Sequence, residues 1–151
     1  MRLHRNLVFT VIDSLQLIFN EGVYADKAVE SALKKDARWG ARDRKFVAET
    51  IYEIVRWRRL YNEIAETKEH YSRENLWKIF AVWAVLRGIE LPDWKYFQDS
   101  PVRRIKGKFD QAQSVRKIKE SIPDWMDALG VAELGKQWDK EISALNKQAP
   151  V

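Results

Sequence analysis

Between Ala41 and Glu66 the chain carries no proline and no glycine, and its apolar residues recur at helical spacing: Phe46, Val47, Ile51, Ile54, Val55, Tyr61, Ile64 and Ala65. At about 3.6 residues per turn these fall on one broad face, while Lys45, Tyr52, Arg56, Arg59 and Glu63 project from the other. The pairs Lys45–Glu49, Glu53–Arg56 and Arg59–Glu63 each add roughly 0.2–0.5 kcal/mol to an exposed helical surface. The spacing predicts one long helix over Ala41–Glu66 that, at ~1.5 Å per residue, crosses a small domain from edge to edge. The other segments must pack around it.

A second segment narrows the fold further. Leu76, Trp77, Ile79, Phe80, Ala81, Val82, Trp83, Ala84, Val85 and Leu86 cover nearly every direction around a helix. A helix that is apolar all round is buried, so this one belongs at the centre beside the Ala41 helix, with its tryptophans in the core. Ser72 is placed to cap it, with Glu74 in its first turn, and Gly88 to end it.

The remaining segments follow the same period. Leu3–Asn20 reads as a first helix with Leu7, Val8, Val11, Ile12, Leu15, Ile18 and Phe19 inward and Gly22 as its stop. Tyr24–Lys35 reads as a shorter helix, and Trp39 in the connection after it is expected on the core. Pro101 suits a first helical position, with Val102, Ile105 and Phe109 inward and Gly107 interrupting. Asp110 then begins another helix with Ala112, Val115 and Ile118 inside. Pro123 and Asp124 open a helix holding Trp125, Met126 and Leu129, broken by Gly130, and a last helix carries Leu134, Trp138, Ile142 and Leu145 as far as Asn146. The expectation is all-α, a helical bundle built round two long central helices.

Composition excludes several chemistries. The chain has 151 residues, long enough for one packed domain, and no cysteine, so disulfides, thiolate metal sites and thiol nucleophiles are ruled out. Its two histidines, His4 and His70, have no ligand spacing, and its six glycines stand singly rather than in a phosphate-cradling loop. The longest apolar run, Ile79–Leu86, falls well short of the ~20 residues that span a bilayer, and Met1–Arg5 leads directly into an amphipathic segment. No membrane association is expected, and a cytoplasmic location is. No catalytic residue and no metal site is assigned.

The basic charge is local. From Ser100 to Lys119 there are seven cations, Arg103, Arg104, Lys106, Lys108, Arg116, Lys117 and Lys119, against the single Asp110, so this window alone exceeds the net charge of +5 of the whole chain. Such a window is either a solvated helix face or an electrostatic footprint for a polyanion. Arg103, Arg104, Lys106 and Lys108 are the leading candidates for phosphate contact. Arg2 and Arg5, at the start of the first helix, and Arg56 and Arg59, on the polar face of the Ala41 helix, follow them. Arg58 falls on the apolar side and is expected to pair with a carboxylate or backbone carbonyls.

The run Arg42-Asp43-Arg44 before Phe46, then Glu49–Tyr52, then Val55-Arg56-Trp57-Arg58-Arg59-Leu60, resembles the long central helix of a NusB-like domain. Ile122-Pro123-Asp124-Trp125, with Ala144-Leu145-Asn146 and Ala149-Pro150-Val151, is similar to the segment that joins such a domain to the catalytic unit in RNA 5-methylcytosine methyltransferases of the Sun family. The resemblance implies a NusB-like RNA-binding domain over 1–120 and a helical linker over 121–151 leading toward a methyltransferase domain outside this chain. That reaction needs a cysteine nucleophile and a loop for S-adenosylmethionine. Neither is present, so no cofactor and no activity are expected of this chain alone. The implied partner is structured RNA, ribosomal RNA above all, presented to the downstream domain. Two alternatives stand beside it: a stand-alone NusB-type antitermination factor, and a protein-interaction module with a basic face.

Overall fold

The computed structural model describes residues 1–148, and every regular element among them is helical. The last part of the joining segment, Ala149-Pro150-Val151, lies outside the described residues. Helix α1 (Arg5–Glu21) starts two residues later than its apolar pattern and ends at Gly22, whose φ of 72° lets its N–H reach the Leu17 carbonyl. Helix α2 (Ala25–Leu33) follows, and Trp39 folds onto the core. Helix α3 (Ala41–Arg56) packs against α1 and α2.

The Ala41–Glu66 segment is not one helix. It breaks at Trp57 (φ −100°, ψ 19°) into α3 and α4 (Arg58–Ala65). The cause is a side chain from sixty-odd residues away. The buried hydroxyl of Ser121 accepts the Leu60 N–H at 3.3 Å and donates to the Arg56 carbonyl at 3.3 Å. These two groups bond to each other in an unbroken helix, and a group inserted into that ladder is a recognised source of kinks.

Helix α5 (Arg73–Leu86) is the centre. Ser72 caps it, accepting the Asn75 N–H at 3.1 Å, and residues on every side of it are buried, among them Leu76, Trp77, Phe80 and Trp83. It packs mainly on α4 and α1 rather than on α3. The loop before it is pinned where the Asn20 amide exchanges two hydrogen bonds with the Tyr71 backbone, at 2.9 and 3.0 Å. Arg58 is structural, as its position on the apolar side indicates: it lies 3.6 Å from the Glu69 carboxylate and over the Phe19 ring.

After a single 3-10 turn at Lys95–Phe97, helix α6 (Val102–Ala112) runs straight through Gly107, with Ile105 and Ala112 buried. No helix begins at Asp110. A turn follows, then the short α7 (Arg116–Lys119), and Val102 and Val115, expected inside, are exposed. Helix α8 (Asp124–Leu134) likewise continues through Gly130, and a 3-10 turn at Gly135–Gln137 leads to α9 (Trp138–Gln148). Ile122, Trp138 and Ile142 form a small core of their own with Met126 against it. Trp125 stays in solvent, 68% exposed, where the spacing had placed it in the helix's apolar set. Among the described residues no helix is long and apolar enough to cross a membrane.

Candidate nucleic-acid interface

Helix α6 presents its cations in two rows. Arg104 and Lys108, four residues apart, face the end of α4, where Glu66 accepts from both: Lys108 Nζ lies 2.7 Å from its carboxylate and Arg104 pairs with the other oxygen. The hydrogen bond from Lys108, followed by the charge of Arg104, holds the Glu66 carboxyl below its ordinary value. Arg103 and Lys106 occupy the outer row, exposed and with no ion pair among the described residues. Four cations therefore meet two carboxylates, Glu66 and the exposed Asp110 of α6 itself, and this short surface keeps a positive excess.

The other half of the basic window is turned to structure. Arg116 forms a bidentate pair with Asp127 (2.7 and 3.2 Å) and reaches Asp139 at 3.0 Å, while the Trp138 indole N–H donates to Asp127 at 2.9 Å. These partners raise the Arg116 pKa further above the range in which it could lose its proton. Lys117 lies 3.1 Å from Asp124. Only Lys119 there is exposed without an ion pair among the described residues.

Arg56 and Arg59, candidates for phosphate from the polar face of the Ala41 segment, are committed elsewhere. Arg56 donates to the carbonyls of Ser121 (2.8 Å) and Glu120 (3.0 Å) and to the Asn146 side chain, and lies over the Trp57 ring. Burial pulls its pKa down. Arg59 donates to the Ile122 carbonyl (2.8 Å) and to Asp124 (2.7 Å). The two guanidiniums clamp the turn before α8 to the central helix. Their expected salt links to Glu53 and Glu63 are replaced, Glu53 pairing with Arg87 instead. At the other end of the chain Arg5 lies over Trp94, 5.2 Å from the ring centre, and Arg2 is exposed.

The structure brings to this surface residues that periodicity and charge did not single out. Beside the first turn of α6 a narrow cleft is lined by Glu66, Lys78, Asp99, Ser100 and Arg104. Lys78 and Asp99 also line a wider cavity of about 700 Å³ between α1, α5 and the 3-10 turn, with Phe9, Trp77, Tyr96 and Lys95. The alternation of aromatic and basic residues in Trp94-Lys95-Tyr96-Phe97 is the signal that could have marked it. Among the described residues there is no group of His, Asp and Glu placed to hold a metal ion. Comparison with family models, with curated proteins and with solved structures finds no match to this chain.

Proposed function

We propose that this chain is an RNA-positioning domain, NusB-like in kind, that presents structured RNA, ribosomal RNA above all, to an S-adenosylmethionine-dependent 5-methylcytosine methyltransferase domain of the same protein in the cytoplasm. The observation that carries the RNA reading is the placement of Arg103, Arg104, Lys106 and Lys108 on one short helix against two carboxylates, Glu66 and Asp110. Cations arranged so neutralise phosphates and release counterions, giving affinity with little sequence preference. Lys119, Arg2 and Arg5 supply weaker contacts. Arg56 and Arg59 supply none, because withdrawing either leaves half-buried carbonyls without their donors. The attachment to a catalytic domain rests on the resemblance of the Arg42–Leu60 and Ile122–Val151 segments.

A second reading, a protein-interaction module, is favoured by one observation: α8 exposes Trp125 and Leu129, one turn apart, to solvent. In the first reading that same face is where a neighbouring domain packs.

The test is affinity for a ribosomal RNA fragment across a salt series, beside the variant Arg103→Ala/Arg104→Ala/Lys106→Ala/Lys108→Ala. Wild type should bind with a steep salt dependence, and the variant's slope should fall by roughly 0.7–0.9 for each phosphate it no longer neutralises. No binding by wild type at low salt would sink the RNA reading and leave the interaction module.

A further inference from the structure

We propose that the cavity between α1, α5 and the 3-10 turn receives one unpaired nucleobase of the RNA strand whose phosphates lie on α6. This rests on the RNA reading above and names what that RNA must offer: a nucleotide free of its helix.

The cavity's floor is aromatic. Tyr96 stacks on Trp77 with ring centres 4.3 Å apart and planes 11° from parallel, and Phe9 stands edge-on to both at 5.6 Å. Trp77 itself is buried, so it serves as backing, and Phe9 and Tyr96 are the half-buried surfaces that a ligand meets. The Lys95 ammonium, on an exposed side chain, lies over the Tyr96 ring, 5.4 Å from its centre. A base stacked there would move that ammonium aside toward its own phosphate. Stacking of this kind tolerates any base.

The charges around the floor favour a base over a phosphate inside. Asp13 is neutralised by Arg73 at 2.7 Å and by Lys35 at 3.4 Å. Glu74, Asp99, Lys78 and Lys95 remain without ion pairs among the described residues, two of each sign. A cavity with no net charge has little to hold a phosphate, but its carboxylates accept from an exocyclic amine and its ammoniums donate to ring nitrogens and carbonyls. Adenine and cytosine, which carry that amine, should be preferred over uracil.

Position links the cavity to the phosphate surface. Lys78 and Asp99 line both the cavity and the cleft that leads to Arg104. On the far side Arg5 lies one turn before Phe9 on α1 and over Trp94, next to Lys95. A strand crossing from α6 toward the start of α1 would carry its phosphates on Arg104 and Arg5 and drop a base between them. The cavity volume of about 700 Å³ lies within the usual range of small-ligand sites, roughly 300–1,000 Å³.

The experiment has two arms. In the first, amide and indole NMR signals of the whole chain are followed while AMP, CMP or UMP is added to millimolar concentration. Phe9, Trp77, Lys95 and Tyr96 should shift, more with AMP and CMP than with UMP. Tyr96→Leu should remove the shifts, and Glu74→Gln/Asp99→Asn, on exposed side chains, should keep them but erase the preference. In the second, a hairpin with one bulged adenosine is compared with the fully paired hairpin. Wild type should bind the bulged form roughly fivefold or more tightly, Tyr96→Leu should bind both alike, and the fourfold α6 variant should lose affinity for both. Paired and bulged RNA bound equally, with pocket signals unmoved by nucleotides, would overturn this inference while the RNA reading stands. Nucleotides that shift the pocket while neither RNA binds would overturn the RNA reading and, with it, the assignment of the base to an RNA strand.

Discussion

The hydroxyl of Ser121 accepts the backbone N–H of Leu60 at 3.3 Å, taking the place of a helical carbonyl in the middle of the longest apolar-periodic stretch of the chain. Ser121 itself has φ of 54°, in the left-handed region, and is buried. Replacing it with alanine keeps the unfavourable backbone and leaves Leu60 N–H and the Arg56 carbonyl without that partner. A loss of about 1–3 kcal/mol in denaturant unfolding is expected. Ser121→Gly, which relieves the left-handed strain, should lose less. Equal losses would show that the strain has no energetic weight.

Arg56 offers a sharper distinction between structure and binding. Arg56→Ala removes charge-assisted bonds to two carbonyls of the turn before α8 and leaves them half-buried, so stability should fall by roughly 1.5–3 kcal/mol. Hydrogen exchange in α8 and α9 should accelerate first, because these helices hold to the body through that turn. The salt slope of RNA binding should not change. A shallower slope with unaltered stability would return Arg56 to the phosphate surface.

Glu66 restrains the α6 cations. It holds φ of 58° at the C-terminal end of α4, a conformation that glycine adopts at no steric cost. Glu66→Gly trades exposed ion pairs, which contribute little, for relief of that strain, so the melting temperature should hold or rise slightly. Freed Arg104 and Lys108 should steepen the salt dependence of RNA binding by up to about 1.5. A slope unchanged from wild type would mean that Glu66 withholds neither cation from phosphate.

Gly130 lies in the interior of α8, where alanine would ordinarily gain about 1 kcal/mol of helix propensity. Here a Cβ would come within 2.2 Å of ring atoms of Trp138, whose indole is fixed by Asp127 and packed in the small C-terminal core. Overpacking of that kind costs typically about 1–3 kcal/mol and outweighs the propensity gain. Gly130→Ala should therefore lower stability and alter near-ultraviolet tryptophan dichroism. A more stable variant would mean that the ring can retreat.

Acidification should loosen the same unit. The hydrogen bond from Arg116 holds the Asp127 carboxyl below its ordinary value, and those from Arg59 and Lys117 do so for Asp124. A carboxyl with a lowered folded-state pKa binds more protons when unfolded, so its stabilisation is complete above the ordinary value near pH 4 and is lost as pH falls through the folded value. Tryptophan fluorescence should be flat from neutrality to about pH 5 and change below about pH 4. Asp127→Asn should weaken the transition, and a change centred near neutrality would point to other groups.

Local pattern along the chain accounts for the helical class, the wholly buried α5, the faces of α1 and α3, the Ser72 cap and the stop at Gly22. Each of these follows from periodicity or from a backbone conformation that only certain residues reach cheaply. Periodicity also separated Arg58 from Arg56 and Arg59, because it reports which side of a helix a residue occupies. It does not report what arrives on that side. Long-range packing set the rest: Arg56 and Arg59 grip a turn more than sixty residues away, Ser121 splits the central helix, and Gly107 and Gly130 sit inside helices they were expected to break. A glycine costs an isolated helix about 1 kcal/mol, less than burying Ile105 and Ala112 beside one of them, or seating Trp138 against the other, returns. The pairing of Arg104 and Lys108 with Glu66, and the meeting of Phe9, Trp77 and Tyr96 in one cavity, belong with these. They depend on how separate helices cross, and no local spacing encodes that.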